Sequence, residues 1–439
     1  MDFLTQGDKL KSLRLQLKLR QKDLVDDKIT REFISMVEKG KRNFSRGNAI
    51  KIMRKIISMA KEKEIDLNLD EEYMARDVRE DVEMHCLRRV EAKASMEECH
   101  KLLEIAEEHK VPYAISKIYK RMGEIQLFNQ EAVQAFISYS NSLEILNNNN
   151  LVNDKPLIFN NMGVCKLMLL DYEEAAHYFS NSLLVAELTG NYSAYNKTLF
   201  NLTLAYSNLK NIPDTLKTIE RCIARLDKYK EYNIYLKVKI MEAYCYSENE
   251  DYKTSLSIYY DLENGLKNTL TDEEKVVLAN VYNNMASVLL LNNKFKESEE
   301  YFDKSLELRN EYSKDLLSHT LITKSKLYKK CSQQNNAIIC LQEGIELCKE
   351  YNDYEYWNIA LNELEEIYND NNNYDNLRWL YLQYIELSFN NQNENTRIYG
   401  YNKLINLELR LNNLKEAREY SDKLNAYIEE IQSNISYQW

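Results

Sequence analysis

The chain has 439 residues, of which 44% are hydrophobic and 29% are charged, and its formal net charge is −11. Only nine glycines and three prolines are present, so the composition excludes a β-rich or loop-rich protein and favours nearly continuous helix. No apolar run approaches the ~20 residues that span a bilayer, and the N-terminus is too charged for a signal peptide. We therefore expect a cytoplasmic protein without a membrane contact.

Charge is distributed unevenly along the chain. Residues 1–63 contain 17 Lys and Arg against 8 Asp and Glu, a net charge of +9, which leaves −20 for the remaining residues. A basic segment on an acidic body is typical of a domain that neutralises phosphates, because the acidic part is repelled by the same polymer. The sequence predicts that contact with double-stranded DNA is confined to the first 63 residues.

Residues 20–42, RQKDLVDDKITREFISMVEKGKR, predict the second and third helices of a helix-turn-helix. Gln21 and Leu24 open the first helix of this pair. Gly40 follows the last apolar position, Val37, of the second helix, where a helix C-terminus favours a residue that tolerates positive φ. We place a DNA-binding domain at residues 1–63, a linker or helix at 64–80 and a repeat domain at 81–439.

Internal repetition dominates the chain after residue 80. Small residues recur with spacings of 40, 40, 40, 40, 43, 39, 40 and 40, at Ser95, Ala135, Ala175, Thr215, Ser255, Ser298, Ala337, Leu377 and Ala417. A second small position lies twelve residues upstream, as at Gly163, and an aromatic such as Phe179 follows the register by four. Small residues let two helices approach closely while aromatics fill the groove between neighbours. Glu365 and Ile405 do not match the pattern.

This pattern resembles the tetratricopeptide repeat, with a period of 40 in place of 34. The resemblance implies an all-α fold in which about nine helix pairs form a right-handed superhelix with a concave groove. The head resembles the Cro/C1 (XRE-type) helix-turn-helix family. That resemblance implies base contacts from the start of its third helix and phosphate contacts from residues that flank it. The candidates are Thr30, Arg31, Glu32 and Ser35 for bases, and Gln21, Lys22, Lys41, Arg42 and Asn43 for phosphates.

Two further features of the head follow from the same resemblance. Arg14 and Glu38 occupy positions that pair in family heads, so we expect a structural ion pair. Arg20 stands where a Ser or Thr cap commonly precedes the glutamine.

The concave wall of such a superhelix is lined by the first helix of each repeat. Asparagines recur there at equivalent positions, and an amide matches the donors and acceptors of a peptide backbone. Lysines beside them can hold a carboxylate. The peptide-binding candidates are Arg121, Asn161, Lys197, Asn201, Lys237, Tyr244 and Asn284. The alternative is biased composition, since asparagine is abundant throughout the chain.

The combination of such a head with such repeats resembles the RRNPP family of peptide receptors from Gram-positive bacteria. It implies a homodimeric quorum-sensing transcription regulator that binds an inverted-repeat operator and a short signalling peptide. The high Asn, Lys, Ile and Tyr content suggests a clostridial or bacillar source. Two alternatives are a repeat scaffold whose head serves mainly dimerisation, and a phage-type regulator in which the peptide breaks the dimer.

Catalysis and cofactors are not expected. The sequence contains no Walker-type glycine loop, no GxSxG and no HExxH. Eight scattered cysteines without a CxxC pair indicate reduced core residues. The nearest approach to a metal site, His85-Cys86 with Cys99-His100, is better interpreted as buried thiols and surface histidines.

Overall fold

The computed structural model describes residues 3–26, 29–227, 230–267, 271–391 and 393–436. Within these residues the helix is the only regular secondary structure, which confirms the all-α fold class. The chain divides into two compact units, residues 1–225 and 226–439.

The first unit begins with the head, whose elements are α1 (Gln6–Gln16), a 3-10 turn (Gln21–Leu24), α2 (Arg31–Glu38) and α3 (Arg46–Glu62). Eight further helices follow: α4 (Val78–Glu91), α5 (Met96–Glu108), α6 (Pro112–Phe128), α7 (Ala132–Asn148), α8 (Lys155–Met168), α9 (Tyr172–Thr189), α10 (Tyr192–Asn208) and α11 (Ile212–Ile223).

The second unit contains α12 (Tyr232–Glu248), α13 (Tyr252–Leu266), α14 (Asp272–Leu291), α15 (Phe295–Tyr312), a 3-10 turn (Lys314–Leu316), α16 (Leu317–Lys330), α17 (Gln334–Tyr351), α18 (Tyr354–Asp370), α19 (Tyr374–Asn391), α20 (Glu394–Arg410) and α21 (Leu414–Ser436). From α4 onward the described helices form nine consecutive pairs.

The first helix of every pair ends in the same turn. The second residue after each of these helices has φ between +51° and +64°; these residues are Lys93, Gln130, Leu170, Lys210, Glu250, Asn293, Ser332, Asn372 and Asn412. At Leu170 the backbone N–H donates to Leu167 O at 3.0 Å, and the N–H of Asp171 donates to Lys166 O at 2.9 Å. These two bonds form a Schellman motif, which satisfies the free carbonyls at a helix end. The repeats therefore turn sharply without glycine, at a cost of about 1 kcal/mol per turn.

Small residues of the register allow helices to pack closely, as the sequence predicts. A Cβ added to Gly163 would lie 2.5 Å from the ring of Phe179, so this position excludes any larger residue without a shift of the ring. The serine at register position 255 donates its hydroxyl to Ala243 O at 2.7 Å, and Ser298 bonds Ala286 O in the same way. The repeat pattern thus encodes contacts between the two helices of a pair.

Glu365 occupies a small position of the pattern and is buried, with 7% of its surface exposed. Its carboxylate accepts hydrogen bonds from four side chains, those of Tyr381, Tyr384, Tyr399 and Lys403, at 2.7–3.3 Å. A buried carboxylate is stable when it is paired and hydrogen-bonded. The apparent mismatch in this repeat is therefore compensated by the aromatic residues of the next helices. Ile405, the other unmatched position, is half-buried in α20.

Candidate functional site

Helix α2 presents the residues predicted to contact bases. Thr30 caps it by accepting a hydrogen bond from the Phe33 N–H at 3.2 Å, while Ile34 and Val37 are buried in the head core. Arg31 and Glu32 are exposed in the first turn, and Ser35 is half-buried. The capping role of Thr30 is compatible with exposure of its methyl and hydroxyl groups.

Helix α2 ends at a Schellman turn. Gly40 has φ +68°, and the Lys41 N–H donates to Met36 O at 2.9 Å. Glycine takes this left-handed conformation without the steric cost that a side chain adds, and its place at the end of the helix agrees with the prediction.

The prediction of an α-helix at the start of the helix-turn-helix pair is wrong. Gln21–Leu24 forms a single 3-10 turn, which ends because Val25 is extended (φ −66°, ψ 142°). Asp26 and Ile29 then exchange two backbone hydrogen bonds at 3.2 and 3.3 Å. The Asp23 carboxylate caps the start of this turn by accepting from the Arg20 N–H at 2.7 Å. Because Val25 is extended, the helix that begins at Gln21 cannot continue past Leu24.

Most of the predicted phosphate contacts lie on the surface. Lys22, Lys41, Arg42 and Asn43 are exposed, and their side chains form no ion pair or hydrogen bond with the described residues. Gln21 differs, because its Nε2 donates to Glu38 Oε2 at 2.8 Å. A phosphate contact from Gln21 would have to compete with that bond.

The carboxylate of Glu38 also accepts hydrogen bonds from Arg14. Arg14 Nε donates to Glu38 Oε1 at 2.6 Å and its second nitrogen to Oε2 at 3.1 Å, and a third nitrogen bonds Leu19 O at 3.1 Å. Burial opposes ionisation of Glu38, but the hydrogen bonds from Arg14 and Gln21 prevail and lower its pKa. This arrangement fixes the C-terminal half of α2 to α1, which in turn positions Arg31.

The head is attached to the repeats through a buried lysine that the sequence does not single out. Lys9 is 1% exposed; its Nζ donates to Tyr73 O at 3.0 Å and Arg76 O at 2.8 Å, and it forms an ion pair with Asp81 at the start of α4. Arg76 bonds the same carboxylate at 2.9 Å. Met74 is buried in the core of the head. The segment between α3 and α4 is therefore packed against the head and does not form a free linker.

Two of the three predicted asparagines, Asn161 and Asn201, lie in the first unit, and they share a partner. Asn201 Nδ2 donates to Asn160 Oδ1 at 2.9 Å, and Asn160 Nδ2 donates to Asn161 Oδ1 at 3.2 Å. Asn160 is fully buried and also accepts from the Thr198 hydroxyl at 3.2 Å. The sequence places Asn160 on the same concave wall, directly before Asn161, but not among the peptide contacts, and in the structure it is the buried residue that links the two amides. The acceptor oxygen of Asn201 forms no hydrogen bond with the described residues.

The other predicted peptide contacts of the first unit differ in whether their side chains already have partners. Arg121 is engaged with Ala94 O at 3.1 Å and with Glu124 at 3.4 Å. Lys197 is exposed four residues before Asn201 on α10, without an ion pair in the described part of the chain, and is thus available to a ligand.

In the second unit, Lys237 is likewise exposed without a partner among the described residues, and Tyr244 is 40% exposed. Asn284 accepts from Asn283 Nδ2 at 3.4 Å. The residue at the same position in the repeat after Asn284 is Thr323, whose hydroxyl bonds His319 O. The second unit therefore repeats the bond between adjacent asparagines but has no counterpart of Asn201 beside it.

The residues considered for zinc do not converge. Cys86 and Cys99 are buried in the core between α4 and α5, and burial raises the pKa of Cys86 to about 11. His100 is exposed and its Nδ1 lies 2.9 Å from Met96 O. In the part of the chain that the structure describes, no three His, Cys, Asp or Glu side chains are grouped for a metal. Nor does any described helix have the length and apolar composition to cross a membrane.

Comparisons with known proteins give only distant structural neighbours. No family model and no curated protein matches the sequence. Among solved structures, the apo quorum sensor NprR from B. thuringiensis has 17% identity and a TM-score of 0.49, over 80% of this chain and 100% of that one. NprR in complex with its cognate peptide NprX has 16% identity and a TM-score of 0.46, covering 80% and 99% of the two chains. Bacillus thuringiensis PlcR with the peptide PapR7 and DNA has 14% identity and a TM-score of 0.37, covering 81% and 98%.

Proposed function

We propose that this chain is a transcription regulator that binds operator DNA through its head and changes its affinity when its repeats bind a short peptide. The observation that carries the proposal is the exposed, unpartnered basic surface around α2, on a head whose recognition helix is fixed by Arg14 and Glu38. A net charge of +9 on residues 1–63 supplies the sequence-independent attraction to phosphates. One short helix is rarely sufficient for specific affinity, so we propose a homodimer on an inverted repeat.

Replacing Arg31 by alanine should weaken binding to the operator by ~1–3 kcal/mol, which corresponds to about 5- to 150-fold, and should relax sequence preference. Arg31 is exposed in the first turn of α2, where a guanidinium can form two hydrogen bonds with guanine. The measurement is fluorescence anisotropy with the region upstream of the gene and with random duplex DNA, at one salt concentration.

Two matched variants separate base reading from charge. Arg31→Lys keeps the charge but loses the planar fork, so it should lose operator preference while binding random DNA normally. Lys22→Ala removes a phosphate candidate, so it should weaken both duplexes alike. Equal losses on both duplexes for Arg31→Ala would assign this arginine to the phosphate backbone and contradict base reading.

We propose that the peptide is held in the first unit by Asn161 and Asn201, with Lys197 near its carboxylate. Asn160 holds both amides in fixed orientations, so their unused groups are preorganised for a peptide backbone. The free oxygen of Asn201 accepts a backbone N–H in this proposal. Lys237, Tyr244 and Asn284 of the second unit stay predictions for peptide contact.

Asn201→Ala should abolish the response to peptide while leaving peptide-free DNA binding unchanged, because the amide lies in α10 and the DNA surface lies in the head. The measurement is operator affinity titrated with synthetic peptides from short reading frames beside the gene. Asn208→Ala is the control, since Asn208 is exposed at the end of the same helix and bonds only Leu204 O. A full response in the Asn201 variant would place the peptide elsewhere on the repeats.

The head does not have to touch the peptide in order to respond. Because Lys9 fixes α1 to the start of α4, the head moves with the first helix pair of the repeats. Small changes at successive repeat interfaces add along such an array. By linkage, a peptide that improves operator affinity must itself bind more tightly in the presence of operator, by the same factor.

A further inference from the structure

An apolar groove lies in the second unit, away from the asparagine positions. It is a cavity of about 820 Å³ lined by the second helices α15, α17 and α19 and by the start of α16. Its apolar lining is formed by Leu306, Leu317, Leu321, Leu347 and Trp379. The asparagine positions considered above lie on first helices of their pairs, so this groove is a different surface. No part of the proposed function uses it.

The rim of the groove is acidic and largely uncompensated. Glu307, Glu343 and Glu346 are exposed along it, and no lysine or arginine is among the residues that line it. Glu307 and Glu343 form no ion pair or hydrogen bond with the described part of the chain. Glu346 has only Lys349 on the same helix, at 3.6 Å.

We infer that this groove binds a cationic amphipathic helix presented by another protein. Leucines and a half-buried tryptophan offer a pocket for apolar anchors, and tryptophan is enriched among the residues that dominate binding energy. The uncompensated carboxylates attract lysines or arginines that flank those anchors. An amphipathic helix presents apolar anchors on one face with basic residues beside them, so it matches an apolar groove with an acidic rim.

The groove can be tested with a fluorescein-labelled 14-residue helix of leucine and lysine, and with a matched leucine and glutamate helix. The full chain should bind the lysine helix saturably with one-to-one stoichiometry and should not bind the glutamate helix. The double variant Glu307→Gln/Glu343→Gln should weaken binding about tenfold. Trp379→Ala should weaken it by a similar factor.

The control is Glu300→Gln/Glu350→Gln, which removes two exposed charges from the same two helices and should change affinity less than about twofold. Circular dichroism of each variant verifies that helix content is retained. Equal losses in the rim and control variants would show non-specific attraction and overturn the inference. It would also be overturned if the lysine helix failed to saturate, or if sedimentation showed that the wild type self-associates through this groove and the rim variant does not.

Discussion

Replacing Glu38 by alanine should unfold the head at a denaturant concentration that leaves the repeats folded. The substitution leaves the Arg14 guanidinium partly buried without its carboxylate and removes the acceptor of Gln21. Breaking one side of a buried ion pair typically costs about 3–5 kcal/mol, which is a large fraction of the stability of a small domain. The measurement is hydrogen exchange of the amides of α1, α2 and α3 in the full chain, read by mass spectrometry against denaturant.

Glu32→Ala provides the matched control, because Glu32 lies on the same helix but is exposed and has no partner in the described residues. It should change stability by less than about 0.5 kcal/mol. Normal amide protection in the Glu38 variant, combined with lost DNA binding, would contradict a structural role and would place Glu38 in the DNA contact.

Lys9→Met should release the head from the repeats. Methionine fills a similar volume, but it leaves the carbonyl oxygens of Tyr73 and Arg76 without their donor and removes the ion pair with Asp81. We expect the packing of α1 against the start of α4 to lose about 3–5 kcal/mol of stability. The measurement is limited proteolysis, in which cleavage should appear between residues 64 and 77 under conditions where the wild type is resistant.

Lys11→Met is the control for this experiment, since Lys11 is exposed two residues further along the same helix. The Lys9 variant should keep its affinity for a single half-site, because the surface of α2 is untouched, and should lose the response to peptide. Resistance to the protease together with a normal peptide response would show that the junction does not transmit the signal.

Local rules explain the features that were predictable. A Schellman turn requires a residue at positive φ, so Gly40 marks the end of α2 from the sequence alone. Small and aromatic residues at fixed spacing predict close helix pairs, and the contact between Gly163 and Phe179 follows from that spacing. Each of these signals involves residues within about one repeat of each other.

The features that could not be predicted from the sequence depend on partners that are distant in sequence. Glu365 breaks the repeat pattern, yet it is satisfied by tyrosines and a lysine up to 38 residues away. Asn160 looks like one of many asparagines until its bonds with Asn161 and Asn201 are seen. The repeat pattern does not indicate the partners of these two side chains, because the partners depend on how neighbouring helices pack.

The sequence by itself determined that the chain is helical and that it repeats about every 40 residues. It also determined that the excess of positive charge lies in the first 63 residues. These features could be predicted because helical periodicity and charge are local properties. Only the tertiary structure decided that Gln21–Leu24 is one turn, that Lys9 joins the head to α4, and that an acidic apolar groove lies across α15, α17 and α19. The Lys9 junction and the groove each depend on groups that are distant in sequence, and the free energy of a buried charge or an exposed apolar surface depends on the groups around it.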